Sequence, residues 1–199
     1  MSFDSLMGYF SSPPRPSGWA GLYQGYDETE YRDLIEKHKS FTAEDFRRIG
    51  KWKDGATTEG QWKANVASVA YLIWEQATEE LPNCPGENGV GTFLDAWSLR
   101  AYTNVYKKGP QKKHFGLSRA ATLLHFVSGG RYAIFDSRVK TAISRLLDQP
   151  ELSGTVRSYL DSYLPLFKEL AGHCGTDDFR MLDKALFSYG AFEGRRFTN

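Results

Sequence analysis

The fold is decided by the stretch His114-Phe-Gly-Leu-Ser-Arg-Ala-Ala-Thr-Leu-Leu-His125, in which a glycine-containing turn leads directly into an apolar helix. Such a turn points backbone N–H groups outward at the positive end of a helix dipole, an arrangement that binds phosphate. Lys112, Lys113 and Arg119 flank the turn. Because glycine and serine before a helix also form an ordinary cap, the turn alone is a weak signal and more often has a structural role.

A second informative stretch lies nearby, Tyr132-Ala-Ile-Phe-Asp-Ser-Arg-Val-Lys140. Its apolar run predicts a buried approach that ends with Asp136 at, or just before, the start of a helix. The ordinary role of an aspartate at this position is to cap the helix. Asp136 is also the only acid between Arg100 and Arg145. A carboxylate among so many cations suits an enzyme that must face a developing positive charge beside a phosphate backbone.

Basic residues are concentrated around these two stretches. Between Arg100 and Arg145 the net charge is +9, and the rest of the chain carries −8. The ten basic residues are Arg100, Lys107, Lys108, Lys112, Lys113, Arg119, Arg131, Arg138, Lys140 and Arg145. Like charges repel, so we expect a polyanion to compensate them, since each neutralised phosphate releases counterions. The alternative is a solvated face paired with acids from other segments.

Composition excludes several other classes of protein. The 199 residues are 25% charged and 41% hydrophobic, which argues against disorder. The longest nearly apolar run, Val66–Trp74, falls well short of the roughly 20 residues that cross a bilayer. The N-terminus has no signal-peptide pattern, and two cysteines are too few for a disulfide scaffold or a four-cysteine metal site. We therefore expect a cytoplasmic protein without membrane contact.

Helical periodicity dominates the chain and predicts an all-α fold of seven or eight helices. Thr42-Ala-Glu-Asp45 predicts a capping box that opens a helix ending before Gly55. Further helices are predicted over 61–81, 92–108, 118–127, 137–147, 156–170 and 179–189. Tyr132–Phe135 is the one extended-looking run. Residues 1–40, rich in turn-formers and aromatics, are predicted to form an arm packed on a helical body over 41–199.

Together the two stretches resemble the helix–hairpin–helix DNA glycosylase superfamily, in which a hairpin and a short helix precede an aspartate. The resemblance covers residues 90–148, and Asp136-Ser-Arg-Val139 is its most specific part. Leu182–Gly190 and Trp52–Asp54 are similar, more loosely, to short bacterial 8-oxoguanine DNA glycosylase-like proteins. The family's hairpin pattern is Leu-Pro-Gly-Val-Gly, whereas this chain has His-Phe-Gly-Leu-Ser, so Ser118 stands at the second glycine. The four-cysteine cluster of endonuclease III is absent from the sequence.

The resemblance implies a two-lobed all-α domain with double-stranded DNA across its cleft. Asp136 stands at the position of the catalytic carboxylate, and Gly116 lies in the phosphate-binding hairpin. We expect no cofactor and a monomeric protein. The predicted DNA-binding residues are Lys112, Lys113, Gly116, Ser118, Arg119 and Arg138.

The resemblance also bears on the reaction. Bifunctional family members place a nucleophilic lysine inside the second helix, where this chain has Ala120 or Thr122, depending on register. Neither side chain forms a Schiff base. This implies a monofunctional glycosylase that flips a damaged or modified base out of the duplex, hydrolyses its N-glycosidic bond and leaves an abasic site. The identity of the base stays open, as does the choice between repair and defence against invading DNA.

Aromatic residues are the candidates for a base pocket. Trp97, Phe187 and Tyr189 could stack on a flipped base, although core packing is the default role of each, since helical spacing explains it. His125 lies in mid-helix and is read as a satisfied interior group. No metal site is predicted, because His173 and Cys174 lack further ligands at metal-binding spacing.

Two other functions remain open at the level of sequence. The first is a non-catalytic DNA-binding module on the same scaffold, with Asp136 acting only as a cap. The second is a helical interaction protein whose basic face binds an acidic protein or RNA. Loss of base release in Asp136→Asn separates the enzyme from the module, and duplex binding at low salt separates both from the interaction protein.

Overall fold

The computed structural model describes most of the chain, namely residues 27–54, 73, 74, 77, 85–104, 111–148 and 150–196. These residues form two compact units that divide between Arg131 and Tyr132. Several predictions lie wholly or mainly outside the described residues: the N-terminal part of the arm, the helix over 61–81, Lys107, Lys108 and Cys84. The predicted helical character of the fold is confirmed for the described residues.

The first unit contains four described helices of more than one turn and a β-hairpin. In chain order these elements are α1 (Glu28–Glu36), α2 (Ala43–Asp54), α3 (Val90–Ser98), β1 (Ala101–Asn104), β2 (Gln111–His114) and α4 (Leu117–Val127). A 3₁₀ turn, Glu87–Gly89, leads into α3. The largest side chains of its core are fully or almost fully buried: Leu34, Ile49, Trp52, Trp74, Leu94, Phe115, Leu123 and Phe126.

Helix caps set the limits of the first two helices. The Asp27 carboxylate accepts hydrogen bonds from the amides of Thr29 and Glu30, at 2.9 and 3.0 Å. The capping box predicted at Thr42 is confirmed, because the Asp45 carboxylate accepts from the Thr42 amide at 2.9 Å while the Asp45 amide donates to the Thr42 hydroxyl. Helix α2 ends at Asp54, before Gly55, as predicted.

The helix predicted over 92–108 is wrong over residues 99–104, and residues 105–108 lie outside the described part of the chain. Helix α3 ends at Ser98, and β1 pairs antiparallel with β2, with Ala101 opposite His114. The apolar residues at 101 and 105 continue a helical period by coincidence, whereas Tyr102 and Thr103 are residue types that favour strands. Pairing with a second strand therefore overrides the local helical pattern. The run Tyr132–Phe135 forms no strand.

The second unit is helical throughout its described regular structure. Its elements are α5 (Ser137–Leu146), α6 (Val156–Ser158), a π-helical turn (Tyr159–Tyr163), α7 (Leu164–His173) and α8 (Phe179–Arg196). Helix α6, the π-helical turn and α7 follow one another without a break, where the sequence predicted one ordinary helix. Among all the described helices, none has both the length and the apolar character required to cross a lipid bilayer.

Helices α5 and α8 approach each other very closely at one glycine. A Cβ atom at position 190 would overlap the carbonyl oxygen of Arg138, which belongs to the backbone of the first turn of α5. Since that carbonyl cannot rotate away as a side chain would, position 190 accepts only a residue without a Cβ. Gly190 thus fixes the distance between the two helices.

Arg48 is the centre of an ion-pair network in the first unit. Its guanidinium lies 2.7 Å from the Glu30 carboxylate, 2.5 Å from that of Asp33 and 3.1 Å from that of Asp45. Hydrogen bonds from Arg48 and Lys37 lower the pKa of Asp33. Burial raises the pKa of Asp45, but the hydrogen bonds from Thr42 and the nearby cations outweigh it, so the net direction is downward.

Replacing Arg48 should weaken the first unit in a pH-dependent way. We expect Arg48→Met to lower the free energy of unfolding by about 2 kcal/mol at pH 7, because Glu30, Asp33 and Asp45 lose their shared cation. A depressed carboxyl pKa stabilises the fold above the ordinary value of about 4, and this stabilisation is lost as the pH falls through the lower folded value. Urea unfolding at several pH values should therefore show a shallower acid-side loss in the variant.

Arg47→Met is the matched control for this prediction, since Arg47 lies on the same helix, is 43% exposed and is 3.6 Å from Glu44. It should change the unfolding free energy by less than about 0.5 kcal/mol. Equal effects of the two substitutions would show that the network contributes nothing beyond a surface charge.

Candidate functional site

A turn at Gly116 leads directly into α4, as the sequence predicted. Gly116 is the N-cap residue of α4 and has φ +83° and ψ 155°, a conformation that side chains with a Cβ rarely adopt. Glycine supplies no side chain to cap the helix, and the amides of Leu117, Ser118 and Arg119 have no intrahelical carbonyl behind them. The first turn of α4 is therefore an N-terminus capable of receiving an anion.

The β-hairpin presents lysines next to this turn. Lys112 and Lys113 are exposed neighbours on β2, so their side chains leave opposite faces of the strand. The amides of Phe115 and Gly116 donate to the carbonyls of Arg100 and Ser98, at 2.8 and 2.9 Å. These bonds tie the turn to the end of α3 and extend the basic strand up to the helix N-terminus.

Leu99 is an exposed apolar residue beside the same turn. Its side chain is 66% exposed, and it is the one exposed large hydrophobic among the described residues. The carbonyl of Leu99 faces Nδ1 of the exposed His114 at 2.9 Å. The sequence pattern does not reveal Leu99, because it predicts a continuous helix through this residue. Only the break between α3 and β1 brings it to the surface.

Arg119 is engaged within its own unit. Its Nε lies 3.0 Å from Oδ1 of Asp54, and its Nη1 donates to the carbonyl of Phe115 at 3.3 Å. Burial raises the pKa of Asp54, while the charge and hydrogen bond of Arg119 act against this. The guanidinium thus braces the turn that precedes α4. A direct phosphate contact would have to use its remaining N–H groups.

Asp136 lies at the start of α5, as the sequence predicted. It is the N-cap residue, with φ −121° and ψ 142°, and its Oδ1 accepts a hydrogen bond from the Arg138 amide at 2.9 Å. The side chain is partly exposed, so its carboxylate is not sealed in the core. Asp136 belongs to the second unit, whereas the turn at Gly116 belongs to the first.

The first turn of α5 also carries Arg138, which the sequence predicted as a DNA contact. Arg138 is exposed, and its guanidinium carbon lies 4.6 Å from the centre of the Phe187 ring on α8. The structure thus brings Phe187, a predicted pocket residue, next to the helix that Asp136 caps. Tyr189, the second pocket candidate on α8, is buried, with 5% of its surface exposed.

Trp97 lies in the core of the first unit. It is only 3% exposed, and its ring contacts those of Phe93 and Phe115, at centroid distances of 6.2 and 6.4 Å. The Arg100 guanidinium carbon is 3.8 Å from the centre of its ring. This is the core position that helical spacing also allowed, and it gives Trp97 no described face on which a base could stack.

The basic segment is partly compensated within the protein. Arg119 is paired with Asp54, and Lys140 lies 2.8 Å from Glu151. For these two residues the internal pairing considered in the sequence analysis is what the structure contains. Lys112 and Lys113 form no ion pair with any described residue, and both are exposed. The outward positive charge of the β-hairpin, as far as it is described, therefore resides on Lys112 and Lys113.

The described residues of the two units contain no candidate metal-binding site. Across these residues, no three His, Cys, Asp or Glu side chains form a group able to hold a metal ion.

Comparison of the chain with protein-family models, curated proteins and solved structures finds no match. The family resemblance therefore depends only on the residues quoted in the sequence analysis.

Proposed function

We propose that this protein is a monofunctional DNA glycosylase that removes a damaged or modified base from double-stranded DNA. The observation that carries the proposal is Asp136, a partly exposed carboxylate at the N-terminus of α5 and the only acid between Arg100 and Arg145. In this proposal, Lys112 and Lys113 bind the DNA backbone together with the amides that follow Gly116. Exposed Leu99 contacts apolar parts of the same DNA.

The proposed reaction begins with rotation of one nucleotide out of the stack, because its glycosidic bond is not accessible within the duplex. Cleavage of the bond generates an oxocarbenium-like sugar. The Asp136 carboxylate stabilises this positive charge and orients a water molecule towards the anomeric carbon. The water oxygen bonds to that carbon as one of its protons passes to the Asp136 carboxylate. The base departs with the electron pair of the glycosidic bond and takes up a proton from solvent.

The absence of a lysine from α4 supports hydrolysis without strand cleavage. Ala120 and Thr122 are both fully buried, and the Thr122 hydroxyl donates to the Ser118 carbonyl at 2.9 Å. Neither residue provides an amine that could attack the sugar and form a Schiff base. The product expected from this helix is therefore an unbroken strand with an abasic site.

The experiment that tests the proposal is mass spectrometry of bases released from a panel of duplexes. Each duplex carries one oxidised, deaminated, alkylated or naturally modified base. We expect one class of free base in solution and strand breaks only after alkaline treatment. Release of no base from any duplex would contradict the proposal, and breaks without alkali would contradict its monofunctional character.

Neutralising the two hairpin lysines should weaken DNA binding without changing its sequence preference. For Lys112→Gln combined with Lys113→Gln, we expect the slope of log affinity against log salt to decrease by about one for each lost phosphate contact. The loss should be uniform across duplex sequences, because phosphate contacts carry no base information. Fluorescence anisotropy at several salt concentrations measures both quantities.

Lys39→Gln combined with Lys168→Gln is the matched control, because it removes two charges from exposed lysines outside the hairpin. An equal change of slope in both double variants would mean that net charge, and not the hairpin, determines binding.

One observation favours the alternative of a non-catalytic DNA-binding module. The hydrogen bond from the Arg138 amide to Asp136 is what a purely structural N-cap requires. In that case the carboxylate would serve the helix alone, and replacing it with another good capping residue would have no functional effect.

A further inference from the structure

The segment that leads to Asp136 is held by hydrogen bonds from side chains. Ala133, Ile134 and Phe135 are buried, yet they belong to no helix or strand. The Ala133 carbonyl accepts from the Tyr159 hydroxyl, and the Ile134 carbonyl accepts from the Tyr163 hydroxyl, both at 2.6 Å. The two bonded carbonyls therefore belong to the third and second residues before Asp136.

Both tyrosines come from the π-helical turn Tyr159–Tyr163. Their side chains are fully buried and their rings are stacked, with centroids 5.5 Å apart and an angle of 21° between planes. The Phe135 ring meets both of them edge-on, at 5.9 and 5.0 Å. π-Helical turns are rare and often occur at functional sites. Here the turn places two hydroxyl groups against consecutive carbonyls, and this pair of hydrogen bonds is called the clamp below.

The electrostatics of the cluster keep both hydroxyl groups protonated. Burial raises the pKa of Tyr159, and burial together with the negative charges of Asp183 and Asp136 raises the pKa of Tyr163. Each hydroxyl therefore remains a hydrogen-bond donor over the whole pH range in which the protein would act.

Asp136 is consequently held from both sides along the chain. Before it, the two tyrosine bonds fix Ala133 and Ile134. After it, the first turn of α5 is packed against Gly190 at the Arg138 carbonyl. A carboxylate confined in this way has little freedom to move, and a displacement of about 1 Å at a reacting centre can reduce the rate about 100-fold.

We propose that Tyr159 and Tyr163 are positioning residues for the Asp136 carboxylate, an inference that rests on the proposed glycosylase function. They touch neither substrate nor reacting atoms. Their role is to hold the 133–136 backbone so that the carboxylate meets the anomeric carbon of the flipped nucleotide.

Removal of one hydroxyl tests the clamp with little change of shape. In Tyr163→Phe we expect the single-turnover rate of base release to fall about 10-fold or more, with duplex affinity within about 2-fold of wild type. Tyr159→Phe should act in the same direction. Hydrogen exchange should accelerate at the amides of 135–138, because the segment loses its fixed acceptor contacts.

Tyr31→Phe is the matched control, because Tyr31 is another buried tyrosine, with its hydroxyl 3.0 Å from Nε2 of His125 in the first unit. A merely structural tyrosine should lower stability and leave the rate per folded molecule unchanged. If Tyr159→Phe and Tyr163→Phe behave like this control while wild type releases base, the positioning role is overturned and the glycosylase function survives.

Failure of the proposed function would give a different result from failure of the positioning role alone. If wild type releases no base from any duplex, the proposed function fails and the catalytic meaning of the clamp fails with it. Hydrogen exchange then tests only whether the Tyr159 and Tyr163 hydroxyl groups restrain the backbone next to Asp136. Unchanged exchange at 135–138 in both variants would show that the two hydroxyl groups do not restrain this backbone at all.

Discussion

Asp136→Asn is expected to lower the rate of base release by at least about 100-fold, the usual minimum contribution of a positioned acid–base group. Asparagine caps helices as well as aspartate does, so the hydrogen bond from the Arg138 amide and the stability of α5 should be retained. What is lost is the negative charge that faces the developing oxocarbenium ion. Duplex binding should be unchanged or tighter, since a carboxylate repels phosphate.

The measurement is a single-turnover assay on the duplex identified by mass spectrometry, with thermal unfolding and anisotropy on the same samples. Asp27→Asn provides the control, because Asp27 caps α1 through the amides of Thr29 and Glu30. It makes the same chemical change at another N-cap and should leave base release intact. Full activity of Asp136→Asn would leave Asp136 as a cap only and would favour the DNA-binding module.

Gly190→Ala should be the most damaging small substitution in the second unit. The new methyl group would overlap the Arg138 carbonyl, so α5 and α8 would have to separate. Overpacking of this kind costs about 3 kcal/mol, which corresponds to a fall in melting temperature of about 9 °C for a protein of this size. The first turn of α5 would move with its backbone, so base release should decrease as well.

Gly172→Ala is the matched control on α7, where a Cβ would meet nothing within 4 Å. Alanine is the better helix former, so this substitution should be neutral or slightly stabilising. Calorimetry compares the two variants directly. Equal melting temperatures would mean that the approach of α5 and α8 is not as close as described.

Local signals in the sequence predicted the ends of several elements correctly. Gly116 before α4 and the Ser128-Gly129-Gly130 turn after it bound a helix within one residue of the predicted limits. The sequence predicts Asp136 at a helix start because an apolar run, an aspartate and a new helical period follow one another. In each case the physical cause lies within a few residues, as cap and turn chemistry requires.

The features that the sequence did not predict depend on partners that are distant along the chain. Arg119 is paired with Asp54, 65 residues away, and nothing near Arg119 indicates that its charge is already engaged. Tyr163 reaches the Ile134 carbonyl across 29 residues. The strand β1 exists only because β2 pairs with it. Such contacts are decided by tertiary packing, which a helical or strand period does not encode.

The π-helical turn makes this region sensitive to length. Loss of one residue between Tyr159 and Tyr163 would restore ordinary α-helical spacing, because a π-helical turn holds one residue more than an α-helical turn. The two tyrosines would then be three positions apart and about 60° from each other around the axis. Their stacked rings would part, and the two hydroxyl groups would no longer both reach their carbonyls. Substitutions on this helix should therefore be tolerated over evolution far more readily than insertions or deletions.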